Sequence, residues 1–190
     1  MKLQSNINKL YPKKSLGQNF IQNKDFISKL SALIQSDNDT NIFEIGPGMG
    51  ALTNQLIKKK FRNLYLIEKD FLLFQKLDER FKNEKNIFVF NSDAIDYKYE
   101  AINKSQKSLI VGNLPFNISS QLLINWIVNY NWPPFYSKMV LMFQKEVANR
   151  IIAKHNQKNY SRISVISQAR CEIKELIKAP SNIFFPKPKV

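Results

Sequence analysis

The chain has 190 residues and a formal net charge of +14, from 29 Lys and Arg against 15 Asp and Glu. Its hydrophobic fraction of 44% allows a packed core, and its one Cys and one His exclude a disulfide framework and a Cys/His zinc cluster. The charge indicates a polyanionic partner, either nucleic acid or an anionic membrane face. No apolar run reaches the roughly 18 residues of a membrane helix, and the N-terminus lacks the apolar core of a secretory signal. We therefore expect a cytoplasmic protein that needs no metal.

Short apolar segments alternate with helical patterns along the chain. The first 40 residues predict a basic arm followed by an amphipathic helix over 25–35. Predicted strands cover 42–45, 64–67, 87–90, 109–111 and 139–143, with a strand-like segment at 171–177. Predicted helices cover 51–60, 71–81, 119–129, 144–154 and 162–170. This alternation predicts an α/β fold with a doubly wound, mostly parallel sheet, and the proline-rich tail over 180–190 predicts an extended loop.

Three of the predicted strands end in residues typical of a site that binds a nucleotide-like ligand. The first runs into a turn that contains Gly46, Gly48 and Gly50, which allows a tight bend and close approach of a ligand. Glu68 ends the second strand, about 20 residues further on, where a carboxylate can bind two ribose hydroxyls. Asp93 follows the third and could accept a hydrogen bond from an adenine amine. Each carboxylate alone is more often a helix cap or a solvated charge, but the ordered combination indicates one site.

The fourth strand leads into Asn113-Leu114-Pro115-Phe116, a sequence that fits methylation of an exocyclic amine. The lone pair of adenine N6 is delocalised into the ring, so the amine is a poor nucleophile. An Asn side-chain oxygen and a backbone carbonyl can accept its two hydrogens and localise that lone pair. Pro115 would stiffen the turn, and Phe116 offers a ring on which a base can stack. A proline turn with a buried Phe is the alternative interpretation of the tetrapeptide alone.

These motifs, with several others, resemble the adenine-N6 dimethyltransferases of small-subunit ribosomal RNA, the KsgA (RsmA) family. The resemblance covers nearly the whole chain, and its most specific segments are G-Q-N-F, N-L-P-F-N-I-S and Q-K-E-V-x-N-R. The matching segments lie at 15–20, 44–50, 68, 92–94, 112–119, 144–150, 161–165 and 185–190.

The resemblance implies a Rossmann-like class I methyltransferase with S-adenosylmethionine as methyl donor and no metal. By position, Asn19 and Ile21 would contact the donor from the N-terminal segment, and Gly46 would lie against its methionine portion. Its ribose and adenine would be held by Glu68 and Asp93.

The resemblance also implies the acceptor side of the reaction. Asn113 would lie between the donor and the target and, with the Leu114 carbonyl, polarise the target amine. Phe116 would stack on the flipped base, and Phe184 or Phe185 would close its other face. The family dimethylates two adjacent adenosines in a hairpin near the RNA 3′ end. The implied partner is small-subunit rRNA within an immature ribosomal subunit, bound by a monomer.

Two features depart from the family pattern. The family more often has Tyr at the position of Phe116, which preserves stacking but removes a hydroxyl contact. The family also continues beyond Val190 with a last strand and a helical RNA-gripping domain, which we expect to be absent from this chain. The predicted division is an N-terminal arm and helix over 1–40 that contributes to the donor site, and a methyltransferase core over 41–190.

Two other functions remain open on sequence grounds. One is methylation of a large-subunit rRNA adenosine by the related Erm class, although the segments Q-K-E-V-x-N-R and F-F-P-K-P-K-V favour the small-subunit enzymes. The other is a noncatalytic RNA-binding assembly or transcription factor on the same fold.

Several residues are expected to have structural roles only. Cys171 is expected to be a buried strand residue and His155 to be solvated, and Lys58–Lys60 are expected to end a helix, where positive charges interact favourably with the helix dipole. Lys13, Lys14, Arg150 and Arg162 are candidates for phosphate contacts.

Overall fold

The computed structural model describes residues 12–99, 107–129 and 132–188. The start of the predicted basic arm and the last two residues of the tail therefore lie outside the described residues. The described strands are β1 (Phe20–Ile21), β2 (Asn41–Ile45), β3 (Asn63–Glu68), β4 (Ile87–Asn91), β5 (Ser108–Asn113), β6 (Lys138–Met142) and β7 (Phe184–Phe185). The described helices are α1 (Lys24–Ala32), α2 (Thr53–Leu56), α3 (Phe71–Phe81), α4 (Ser119–Val128), α5 (Lys145–Ile152) and α6 (Arg162–Arg170).

Five strands form a parallel sheet in the order β4-β3-β2-β5-β6. The chain adds β3 and β4 on one side of β2 and then returns to add β5 and β6 on the other side. The strand order therefore reverses between β2 and β5, which is where ligands bind in open sheets of this kind. The predicted α/β class with a doubly wound parallel sheet is confirmed.

The two faces of the sheet are buried in separate apolar clusters. Alternate residues of β3 show this, because Leu64 and Leu66 belong to the cluster with α1 and α3, whereas Tyr65 and Ile67 belong to the cluster with α4. Strands buried on both faces have largely apolar sequences, as β3 and β5 do between their polar ends. In the described part of the chain, no helix is long and apolar enough to cross a membrane.

Two predicted elements differ from the structure. The predicted helix over 51–60 shrinks to α2, because Gln55, Lys58 and Lys59 donate to carbonyls only three residues back, which is the tighter 3₁₀ pattern. Lys58–Lys60 therefore follow α2 instead of forming its last turn.

The predicted strand over 171–177 is also wrong: this segment has no regular structure and pairs with no described strand. Its apolar side chains instead pack in two different hydrophobic clusters. Cys171 and Ile173 pack beside α4 and α6, and Ile177 packs in the α1 cluster.

The predicted extended tail contains a short strand, β7, that pairs with the N-terminal segment. Phe20 and Ile21 of β1 pair antiparallel with Phe185 and Phe184. The Gln22 N–H extends this pairing by donating to the Ile183 carbonyl at 2.8 Å. We call residues 12–22 the strap, because this pairing ties the N-terminal segment to the far end of the chain.

Candidate functional site

A cleft lies at the carboxyl ends of β2, β3 and β5, on the side where the strap crosses. It is formed by the strap, the glycine turn after β2, and the residues that follow β3, β4 and β5. The predicted site residues that line it are Asn19, Ile21, Gly46, Glu68, Asp93, Asn113, Leu114 and Pro115. The parallel sheet and the strap together thus bring eight of the nine predicted site residues to one place, and Phe116 directly follows Pro115 in the chain.

The glycine turn after β2 forms the base of the cleft. Its first peptide continues the sheet, because the Gly46 N–H donates to the Ile67 carbonyl at 3.0 Å. Gly48 has a φ of 60°, and a Cβ there would lie 2.9 Å from Cε1 of Phe20. Only glycine therefore allows the turn to bend in this way and the Phe20 ring of the strap to pack against it.

Glu68 at the end of β3 is buried and held by two backbone donors. The Asp70 N–H donates to its Oε1 at 2.8 Å, and the Gly48 N–H donates to its Oε2 at 3.0 Å. Burial raises the pKa of the Glu68 carboxyl, while the two N–H donors favour the carboxylate form. The carboxylate is thus fixed in orientation on the wall of the cleft, with lone pairs left for hydroxyl donors.

Glu44, in β2, is a cleft residue to which sequence reasoning assigned no role. It is fully buried, and the Thr53 hydroxyl donates to its Oε2 at 2.7 Å. Burial is the main cause that raises the pKa of the Glu44 carboxyl to about 8, and the neighbouring Glu68 raises it further. The sequence signal for such a role was a charged residue, Glu44, within the apolar segment 42–45 that leads into the glycine turn.

Asp93, after β4, forms an ion pair with Lys69, and both residues line the cleft. Its Oδ2 lies 2.5 Å from Lys69 Nζ, and its Oδ1 accepts from the Ile95 N–H at 2.9 Å. Burial would raise the pKa of the Asp93 carboxyl, but these two donors hold it below its ordinary value. Lys69 is a second cleft residue that sequence reasoning missed.

In the part of the chain that the structure describes, the side-chain amide of Asn113, at the end of β5, is hydrogen-bonded through its nitrogen but not through its oxygen. Its Nδ2 donates to the Asn19 carbonyl of the strap at 2.7 Å. A carbonyl oxygen can only accept, so this contact fixes which amide atom faces the strap. The opposite atom, Oδ1, is buried and has no hydrogen-bond partner among the described residues. Because buried acceptors are nearly always paired in folded proteins, this oxygen indicates a site for a ligand donor.

Phe116, three residues after Asn113, contacts Phe184 of β7. The ring centroids of Phe116 and Phe184 are 6.3 Å apart at an interplanar angle of 68°. Phe116 is half-buried, Phe184 is buried and Phe185 is exposed. Of the two tail residues considered for the base site, Phe184 is thus the one in contact with Phe116.

Of the other residues considered, His155, Arg150, Arg162 and Cys171 are not among the cleft residues. Lys13 lies in the strap, and the Lys14 side chain lies outside what the structure describes. His155, in an exposed loop, makes an edge contact with Tyr160. Arg150 and Arg162 are exposed, whereas Cys171 is half-buried and burial raises the pKa of its thiol. Within the described ranges, no three His, Cys, Asp or Glu side chains are grouped as metal ligands would be.

Comparison with known proteins gives consistent relatives. The family model for ribosomal RNA adenine dimethylase matches residues 10–190. Ribosomal RNA small subunit methyltransferase A of Pelagibacter ubique is 40% identical over 178 residues, which cover 94% of this chain and 66% of that protein.

Two solved structures share the fold. A dimethyladenosine transferase from Plasmodium falciparum has a TM-score of 0.78 and 26% identity, covering 90% of this chain and 59% of that one. The 23S rRNA methyltransferase ErmE has a TM-score of 0.74 and 24% identity, covering 90% of this chain and 66% of that one, a likeness that shows the fold alone.

The chain spans slightly less than two thirds of the length of the first curated relatives that it matches. The match nevertheless covers almost all of this chain and includes every strand of the parallel sheet. The chain belongs to the ribosomal RNA adenine dimethylase family.

Proposed function

We propose that this protein transfers methyl groups from S-adenosylmethionine to the N6 amines of two adjacent adenosines near the 3′ end of small-subunit rRNA. The observation that carries the proposal is the buried, unpaired Oδ1 of Asn113 in a cleft that also contains two ordered carboxylates. The names of the curated relatives, which are small-subunit rRNA methyltransferases, support the choice of RNA.

The donor half of the cleft fits S-adenosylmethionine by its chemistry. When bound, this donor supplies a methyl group made electrophilic by a sulfonium. The Glu68 carboxylate would accept from two ribose hydroxyls, and Asp93 would accept from the adenine amine alongside its contact with Lys69. The turn at Gly46 would admit the methionine portion, while Asn19 and Ile21 would cover the donor from the strap.

The acceptor half would act by orienting the target amine. The Asn113 Oδ1 and the Leu114 carbonyl would each accept one N6 hydrogen, which localises the nitrogen lone pair towards the methyl group. No strong base is needed, because the methylated nitrogen becomes acidic and loses its proton readily. Phe116 would stack on the flipped base, with Phe184 next to it, and Pro115 would keep the turn rigid.

The proposal extends to domains, partner and location. Residues 1–40 would form an arm and helix that contribute to the donor site, and 41–190 the methyltransferase core. The partner would be rRNA within an immature small ribosomal subunit, met in the cytoplasm by a monomer. The net charge of +14 supports binding to a polyanion of this kind.

The test is incubation of the protein with radiolabelled donor and immature small ribosomal subunits, followed by mapping of the label. We expect label on two adjacent adenosines near the 3′ end of the rRNA. Label on large-subunit RNA would instead support an Erm-like function. Donor binding without label on any RNA would support a noncatalytic assembly or transcription factor.

A further inference from the structure

The strap meets both halves of the cleft. On the donor side, the Phe20 ring packs against Gly48, and on the acceptor side the Asn19 carbonyl accepts from Asn113. Gly17 lies so close to the N-L-P-F-N turn that a Cβ on it would be 2.5 Å from Asn117 Oδ1. The strap thus forms one wall of the donor cleft and also holds the amide of Asn113.

One buried carboxylate, Asp70, fastens the outer end of the strap. Asp70 is 3% exposed, and Lys13 Nζ lies 3.0 Å from its Oδ1 and 2.9 Å from its Oδ2. The Gln18 side-chain amide donates to its Oδ2 at 3.1 Å. Gln18 in turn accepts from the Lys13 N–H at 2.8 Å, so the three residues form a closed network.

The Asp70 backbone also helps to hold Glu68 on the wall of the cleft. Its N–H donates to Glu68 at 2.8 Å, and its Oδ1 caps α3 by accepting from the Leu72 N–H at 3.0 Å. Burial would raise the pKa of the Asp70 carboxyl, but Lys13, Gln18 and the Leu72 N–H together lower it. An ionised, nearly water-free carboxylate needs such donors, and two of the three come from the strap.

We propose that Asp70 and Lys13 are positioning residues, which hold the strap closed over the methyl donor and thereby fix the orientation of the Asn113 amide. This inference rests on the proposed function, because it takes S-adenosylmethionine as the occupant of the cleft. Release of Lys13 would expose Asp70 to water and loosen the outer end of the strap, while β1 stays paired with β7. The Asn19 carbonyl would then no longer select which atom of the Asn113 amide points towards the target.

The chain allows the strap contact to be separated from the helix cap. Asp70→Ser retains a good N-cap but is too short to reach Lys13 and Gln18. Lys13→Met removes the ion pair from the strap side, and Lys13→Arg keeps the charge. Lys107→Met is a control matched at the lysine, since Lys107 is about as exposed as Lys13 but pairs with an exposed carboxylate, Asp37, at 2.8 Å and lies outside the cleft.

The first readout is the dissociation constant for S-adenosylmethionine, measured by equilibrium dialysis. We expect Lys13→Met and Asp70→Ser each to weaken binding about fivefold, with the double variant no weaker than the singles. Lys13→Arg should stay within about twofold of the unaltered protein, and Lys107→Met should be unchanged. Since the donor carries a net positive charge, loss of a lysine by charge alone would tighten binding, which is the opposite direction.

The second readout is amide hydrogen exchange without any ligand. We expect the strap to exchange faster in Lys13→Met and Asp70→Ser, whereas β3 keeps the rate of the unaltered protein. Equal acceleration in β3 would mean general destabilisation and would overturn the inference. Unchanged donor affinity in Lys13→Met, with tight binding by the unaltered protein, would also overturn it and leave the proposed function intact. No donor binding by the unaltered protein would overturn both.

Discussion

The donor side and the acceptor side of the cleft differ in how their polar atoms are satisfied. On the donor side, both oxygens of Glu68 and both oxygens of Asp93 accept hydrogen bonds from the protein. On the acceptor side, the Asn113 Oδ1 is buried with no partner among the described residues. Each of these carboxylate oxygens thus already has one protein partner and can accept a further hydrogen bond, whereas the Asn113 Oδ1 lacks even one within the described ranges.

This difference predicts which step each residue affects. Two backbone N–H groups hold the Glu68 carboxylate in place before any ligand binds, so a ligand adds only its own hydrogen bonds there. A buried oxygen without a partner gains a hydrogen bond only when a ligand N–H or O–H reaches it, and in the proposed mechanism that hydrogen bond would stabilise the transition state. Removal of Asn113 should therefore affect turnover, and changes on the donor side should affect donor affinity.

The largest expected effect is that of Asn113→Ala. We expect methyl transfer to fall at least about 100-fold, because the variant lacks the oxygen that we propose accepts from the target amine. Donor affinity should change by less than about threefold, since the donor-side carboxylates are untouched. Asn63→Ala is the control, because the Asn63 amide donates to Asn41 at the other end of the strands. Full activity of Asn113→Ala in a single-turnover assay would remove the polarising role.

Glu68→Gln should have the next largest effect and should act on donor binding. A Gln amide would present an NH₂ group to one of the two backbone N–H donors, so it would lose that hydrogen bond and the charge. We expect the dissociation constant for S-adenosylmethionine to rise about 10- to 100-fold. Calorimetric titration measures this, and an affinity equal to that of the unaltered protein would contradict the assignment of Glu68 to the donor.

Glu44 should make stability depend on pH in a predictable direction. The pKa of its carboxyl is about 8 in the folded protein, against 4.5 ordinarily, so the folded state retains a proton that the unfolded state releases. The free energy of unfolding should therefore decrease as the pH rises from 4.5 towards 8, by at most about 1.4 kcal/mol per pH unit. Glu44→Gln should flatten this slope when the free energy of unfolding is measured by urea titration at several pH values. Parallel plots of that free energy against pH for the variant and the unaltered protein would contradict a raised pKa of Glu44 in the folded state.

The smallest expected effect concerns Phe116. Phe116→Leu should raise the KM for the RNA substrate about fivefold, because it removes the ring on which we propose that the base stacks, while Phe116→Tyr should keep near-full activity. Phe88→Leu is the control, since this partly exposed Phe stacks on Tyr65 in the sheet and lies outside the cleft. The measurement is the KM for RNA at saturating donor, and equal values for all three variants would place the base elsewhere.

Most of the sheet could be predicted from local pattern. Apolar segments such as 64–67 and 109–111 are buried on both faces, so their sequences are apolar throughout and lie within the observed strands β3 and β5. The segment over 171–177 shows the limit of this reasoning. Its alternation arises because it packs against two different clusters, which no local pattern distinguishes from a strand.

The sequence by itself determined the fold class, the family and the order of the site residues. The physical reason is that parallel strands bring their carboxyl ends to one edge, so residues after consecutive strands must meet there. Only the tertiary structure revealed which contacts hold the strap at this edge, since Asn19 and Asn113, like Lys13 and Asp70, are far apart in the chain. It also distinguished the paired carboxylates from the unpaired Asn113 oxygen, because hydrogen-bond satisfaction depends on neighbours that the whole fold supplies.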